Sequence, residues 1–237
     1  TTGRPELDGA GNLQNYRVEQ GKVSIEGNGL DGKRTDSVSI LARTIDVNAG
    51  VWANKLNTRT GQNNIDAKNL KATALDLSST ETKPTIGLDV AAVGGMYANH
   101  ITMVGTEAGV GVNLNGVVAG VQSVSVDANG HLSVNGTLQS DTSLVAKANS
   151  IQNTKTIASG GDLGLETKEL SNTGHITSAK NGHVKVKETL TNKNTMAAGA
   201  NTQGAVTGNG SLSVEAGNIR NTDAVIVSGG TTRINSK

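Results

Sequence analysis

The feature that most limits what this chain can become is a motif written four times in aliphatic residues and one asparagine. Leu144-x-Ala146, Ile151-x-Asn153 and Ile157 make the first copy; Leu163-x-Leu165, Leu170-x-Asn172 and Ile176 make the second. Val184-x-Val186, Leu190-x-Asn192 and Met196 follow, then Leu212-x-Val214, Ile219-x-Asn221 and Val225. A looser copy, Leu132-x-Val134, Leu138-x-Ser140 and Leu144, comes before them with serine in the asparagine slot. The copies start about 19, 21 and 28 residues apart, a period that belongs to solenoids. Pairs separated by one residue alternate inward and outward as strands do, so each copy reads as one coil of a parallel β-helix. Parallel crossovers are overwhelmingly right-handed, and a right-handed coil is expected. The fold class expected is therefore all-β, a stalk rather than a catalytic pocket.

Composition agrees with a thin core. The chain has 237 residues with 31 Gly, 2 Pro, no Phe, no Cys and 1% aromatic residues. Bulk must then come from Val, Ile, Leu and Ala, which suit a narrow interior where like residues stack from coil to coil. Helix signals are poor, because Gly, Asn, Thr and Ser dominate and no run repeats apolar residues at helical spacing. Cysteine-free composition fits passage through an oxidising compartment in an unfolded state.

Charge gives no partner signal. Lys+Arg 21 against Asp+Glu 20 leaves +1, without the basic excess of a nucleic-acid or anionic-membrane binder. The basic residues are scattered and the few aromatics form no stacking platform. No apolar run reaches the roughly 18 residues of a spanning helix, so neither nucleic acid nor membrane insertion is expected. The opening Thr-Thr-Gly carries no signal peptide, and Ile234-Asn235-Ser236-Lys237 reads as mid-coil. Both ends are expected to be cuts in a longer chain.

Along the chain, residues to about 20 are polar and Gly-rich. Strand-like alternation begins at Val23-Ser24-Ile25 and returns at Val38-Ser39-Ile40 and Ile45-Asp46-Val47, with Val51 and Leu56 after them. Glu26 to Asp36 reads as a polar turn or short excursion. Ser78 to Pro84 reads as a loop leaving the coil, since Pro84 lacks the amide that a central strand needs. Alternation resumes at Ile86-Gly87-Leu88-Asp89-Val90. One or two extra-helical elements are thus expected between 26 and 116, with plainer coils from 117 onward. Asn153, Asn172, Asn192 and Asn221 recur at one offset from their apolar anchors, which predicts an inward ladder of amides bonded from coil to coil.

Residues 16 to 116 resemble the later part of the secretion domain of two-partner-secreted exoproteins, the family of filamentous haemagglutinin and the CdiA-type contact-dependent growth inhibition proteins. The likeness rests on Tyr16-Arg-Val, Ile25-Glu-Gly-Asn-Gly-Leu-Asp, Ile40-Leu-Ala-Arg and Val47-Asn-Ala-Gly-Val-Trp-Ala-Asn-Lys-Leu-Asn. It continues in Gly94-Gly-Met-Tyr-Ala-Asn-His-Ile and Gly105-Thr-Glu-Ala-Gly-Val-Gly-Val. Trp52, Gly94, Gly95, Met96, Tyr97, Asn99 and Glu107 are the residues by which the family motifs are identified. Copies after 117 resemble haemagglutinin-type filament repeats, so the resemblance implies a secretion-domain part at 1–116 and repeats at 117–237. It further implies a secreted, cell-surface location, an outer-membrane two-partner transporter as partner during export, and a receptor on a target or host cell. The family's Asn-Pro-Asn signature is absent here. The chain is expected to start downstream of it, and export competence is not implied for this segment alone.

Gly27, Gly29 and Gly32 spell Gly-x-Gly-x-x-Gly, but no helix pattern follows to present its amino end to a phosphate, so a turn is expected. Glycoside hydrolysis needs two carboxylates across a groove; Asn221-Thr-Asp223 with Arg233-Ile-Asn235 faintly resembles pectin-hydrolase motifs, yet no Asp-Asp pair exists. His100, His131, His175 and His183 are dispersed without metal-ligand spacing. No enzyme activity, metal or cofactor is expected. Trp52 and Tyr97 could stack on a glycan, but packing of the decorated region is the expected role. Asn135-Gly-Thr and Asn209-Gly-Ser match the glycosylation sequon as Asn-Gly turns do by chance. The competing classes are an adhesin surface that binds host glycan or protein directly, and an autotransporter passenger.

Overall fold

The structure, a computed structural model, describes residues 1–77 and 82–236. Part of the loop expected at Ser78 to Pro84, residues 78–81, lies outside the described residues. Among the described residues there is no helix, and parallel strands join into a single 19-stranded ladder. Each coil passes through three faces. The first coil shows them separately as Lys22–Ile25, Leu30–Gly32 and Val38–Ala42. Val117–Val134 crosses the second, third and first faces as one strand, and later coils run from the third face into the first without a break, as in Ser143–Asn153, while the second face keeps its own short strand, as in Thr156–Ser159.

The register explains the aliphatic composition. On the first face Ile45, Leu88, Val112, Leu132, Ile151, Leu170 and Leu190 lie one above the next. On the second, Val51, Met96, Val118, Leu138, Ile157, Ile176 and Met196 do the same. Every one of these side chains is buried within one continuous cluster. A triangular interior one side chain deep leaves little room for rings, and each buried Val, Leu or Ile contributes about 1.5–3 kcal/mol.

Pairing corrects the repeat phase in three places. The third copy begins one pair earlier than Val184-x-Val186, because Leu163 pairs with Gly182 and Leu165 with Val184. Gly182 hides the anchor from sequence; a Cβ there would sit 2.8 Å from the Leu212 methyl that fills its place. In the fourth copy the anchor is Ile226, which pairs with Met196, whereas Val225 is half-exposed beside Thr195. One extra residue in that corner shifts the frame, and Asp223 takes it up at φ 51°. The looser copy is also out of phase: Ser140 pairs with Ser159, and the residue level with Asn153 is Val134.

Residues 26 to 36 are more than an excursion, since Leu30–Gly32 pairs with Leu30↔Val51 register as a strand of the first coil. The N-terminal stretch is not featureless either. Arg4–Leu7 and Leu13–Val18 form an antiparallel sheet with Asn63–Asp66 and Ala72–Ala74, in the order first, second, third, fourth along the chain. The hairpin 63–74 is an extra-coil element within the region where one was expected. Val18, Leu41 and Ile65 make its own small core, with Tyr16, Leu70 and Ala72 against it.

Candidate functional site: amide ladder, aromatic stack and buried ion pair

The four predicted asparagines stand in register on the first face. Asn153 Nδ2 donates to Asn172 Oδ1 at 2.8 Å, Asn172 Nδ2 to Asn192 Oδ1 at 2.8 Å, and Asn192 Nδ2 to Asn221 Oδ1 at 2.7 Å. The same amides reach backbone carbonyls of the following corner, His175 O from Asn153 and Thr195 O from Asn172. Asn153, Asn172 and Asn192 are wholly buried, and Asn221 is exposed. Coil spacing near 4.8 Å lets identical amides donate along one direction. The array has an unanswered end: Asn153 Oδ1 is buried with no partner. Its neighbour above is Val134, which offers no donor.

Gly94 and Gly95 have separate reasons to be glycine. A Cβ on Gly94 would lie 2.0 Å from Val47 O, on Gly116 2.2 Å from Gly94 O, and on Gly136 2.0 Å from Gly116 O. Coil corners stack here backbone on backbone, and only hydrogen fits between them. Gly95 instead makes room for a ring, since a Cβ there would meet Tyr97 at 2.6 Å, and Gly50 does the same for Trp52 at 2.3 Å. Each ring therefore lies back over the glycine two residues before it.

Tyr97 pairs with Trp52 in register, and their rings stack with centroids 6.1 Å apart and planes 14° apart. The reading that the aromatics form no stacking platform is thereby corrected: two residues 45 positions apart in sequence meet because a coil and a hairpin separate them. Lys33 Nζ sits 5.7 Å from the Trp52 ring, on its outer side. Asn99 Nδ2 donates to Asn54 Oδ1 at 2.8 Å beside the stack. Met96, the inward neighbour, is fully buried in the second-face column.

Glu107 forms a two-pronged ion pair with Arg43, Nη2 to Oε1 at 2.9 Å and Nε to Oε2 at 3.3 Å. Both side chains are largely buried, at 4% and 13% exposure, so the pair tests as a tie between separated coils. Arg59 is buried too and satisfies carbonyls instead, donating to Leu70 O at 2.8 Å and Thr58 O at 2.9 Å. Burial lowers its pKa from the usual guanidinium value. It holds the turn of the 63–74 hairpin, where Leu70 adopts φ 57°. Sequence did not mark either arginine as a buried tie, because Glu107 lies 64 residues from Arg43 and Leu70 is brought to Arg59 only by the turn of the hairpin.

The remaining candidates fall apart as chemistry. Gly27 and Gly29 sit in a turn at φ 61° and 79°, and Gly32 ends a strand. Asn221 is on the first face while Arg233 and Asn235 pair on the third, with Asp223 in a corner. His100 and His131 each hydrogen-bond a serine one coil on, Ser123 at 2.9 Å and Ser150 at 3.0 Å. His175 and His183 lie on the second and third faces. Among the described residues no three His, Asp or Glu side chains converge as metal ligands. Asn135 of the sequon is engaged, donating to Asn115 Oδ1 at 3.0 Å.

A family model described as the TPS secretion domain matches residues 1–134. The chain is 38% identical over 168 residues to a tRNA nuclease CdiA of Escherichia coli strain NC101, which covers 71% of this chain and 5% of that protein. It is 41% identical over 143 residues to a Toxin CdiA of Yersinia pestis, 59% of this chain and 4% of that one. The chain thus spans about a twentieth of the length of these relatives, and the activities in their names are those of far longer proteins. A crystal structure of a filamentous hemagglutinin secretion domain aligns over 99% of this chain and 57% of its own, at 19% identity and a TM-score of 0.46. This all-β chain belongs to the TPS (two-partner) secretion domain family.

Proposed function

We propose that this segment is a structural, non-catalytic part of a large exported bacterial surface protein, which engages an outer-membrane two-partner transporter during export and forms the base of a filament. The observation that carries this reading is the family match over residues 1–134, joined to a parallel ladder that continues through and beyond them. On this reading residues 1–116 serve the secretion step and 117–237 begin the filament. The filament presents an adhesive or toxin-delivering remainder to a receptor on another cell.

The physics of such a task is axial. Each coil that folds outside the membrane buries aliphatic surface on the coil before it, and contacts little else. Burial at one end of a threaded chain makes backward movement costly and biases the chain outward. The test is export of a full-length exoprotein carrying polar substitutions at Leu163, Leu165 and Leu170. Slowed release into the medium is expected; release at the parental rate would count against coil-by-coil folding as the drive.

A further inference from the structure

Six Asn-Gly pairs occur in this chain, at Asn28, Asn115, Asn129, Asn135, Asn181 and Asn209. In such a pair the asparagine is chemically exposed, because the following glycine has no Cβ to keep its backbone nitrogen away from the side-chain amide carbon. Attack by that nitrogen needs two freedoms: a backbone N–H that is not already donating, and a side chain that can swing. The fold withdraws at least one of them from five of the six. Gly29, Gly116, Gly136 and Gly182 donate their N–H to Glu26 O, Val90 O, Leu114 O and Ser211 O. Asn129 is held by its side chain, which donates to Thr106 O at 3.0 Å. Asn209 differs from all of them. It lies in residues 199–211, which leave the coil at a corner that residues 179–181 cross directly one coil earlier. Ala205 to Asn209 are exposed throughout. Among the described residues, the Asn209 side chain has no hydrogen-bond partner and the Gly210 N–H has no acceptor.

We infer that Asn209 is a self-modifying residue, whose side-chain amide is lost to its own backbone in the folded chain. Hydroxide takes the proton of the Gly210 N–H, and the nitrogen attacks Asn209 Cγ. The new C–N bond forms as the Cγ–Nδ2 bond breaks, and Nδ2 takes a proton from water and leaves as ammonia. Water then opens the five-membered imide at either carbonyl, which gives aspartate or isoaspartate. Gly210 is a held nucleophile, because Gly230 N donates to Gly210 O at 2.8 Å on one side and a Cβ on Gly210 would overlap Lys180 O on the other. The exposed asparagine side chain is the part that turns. The two products differ mechanically. Aspartate keeps the length of the backbone, whereas isoaspartate adds a methylene to it. That methylene enters a corner stacked backbone on backbone, where a Cβ on Gly229 would overlap Gly208 O. The coil resting on this corner, Val225–Ser228 and Thr232–Ser236, then loses its footing. This inference does not depend on the export reading.

The test is to hold the whole folded chain in mildly alkaline buffer and follow all six Asn-Gly pairs by peptide mapping, with electron-transfer fragmentation to separate the two products. Asn209 is expected to convert at least tenfold faster than any other pair. In guanidinium chloride, where the fold is gone, the six should convert at similar rates, which makes the selectivity a property of the structure. Asn209→Gln, exposed and outside the core, should abolish the fast conversion and leave the circular dichroism spectrum unchanged. Hydrogen exchange of the aged protein should show lost protection in residues 225–236, while Asn209→Asp keeps it. The inference is overturned by conversion of Asn209 in the folded chain no faster than that of Asn115, Asn135 or Asn181. It is overturned equally by isoaspartate-bearing protein whose last coil exchanges as slowly as that of fresh protein.

Discussion

Thr58 shows how much a single inward position can disclose. It stands between Ile40 and Met103 in an apolar column, is 1% exposed, and its hydroxyl is buried without a partner. An unpaired buried hydroxyl costs about 1–3 kcal/mol, so Thr58→Val, which keeps the shape, should raise unfolding stability by about 1 kcal/mol in urea. The amide ladder makes the opposite case. Asn172→Val would strand a donor on Asn153 and an acceptor on Asn192, at a cost of about 2–4 kcal/mol. Replacing Asn153, Asn172, Asn192 and Asn221 together by valine should cost less than that one change. The same column already holds Val47, Val90, Leu114 and Val134 in earlier coils, and a fully apolar column leaves no buried side-chain amide unpaired. A quadruple variant weaker than the single one would sink this account. The ladder positions were legible because spacing alone marked them. Its unpaired end at Asn153 was not, because it depends on Val134 being level with it.

Among the strands, long-range ties do what local propensity cannot. The four-stranded antiparallel sheet joins residues 4–18 to 63–74, and Arg43 reaches Glu107 across its side of the solenoid. Glu107→Ala removes two charge-assisted hydrogen bonds to a buried guanidinium, so it should cost about 1.5–3 kcal/mol, read as a lowered urea midpoint. The third face carries another device. Asp127, Lys147, Glu166, Lys185 and Glu215 lie in one outward column, alternating in sign coil by coil. Lys147 Nζ is 3.9 Å from Glu166 Oε1 with both exposed, so each pair is worth about 0.2–1 kcal/mol. Lys147→Glu should destabilise at low ionic strength and recover in salt, while Lys147→Gln recovers less; equal salt responses of the two variants would show the column to be inert. In sequence these charges look scattered, since their order exists only once the coils are in register.

At the scale of the whole molecule the chain is a stack in which each coil depends on its neighbours. That architecture suits the export proposed above, in which the segment leaves a cell as thread and becomes rigid outside it. Sequence by itself determined the solenoid, its apolar columns and the inward asparagines, because alternation and spacing are local properties that survive without coordinates. It misplaced the third and fourth anchors, where Gly182 and the extra residue at Asp223 disturb the count. Only the tertiary structure decided the stack of Trp52 on Tyr97, the Arg43–Glu107 pair, the antiparallel sheet and the charge column. Those contacts join residues separated by whole coils or by a hairpin, and the distance between two coils is set by the backbone ladder, which no single stretch of sequence contains.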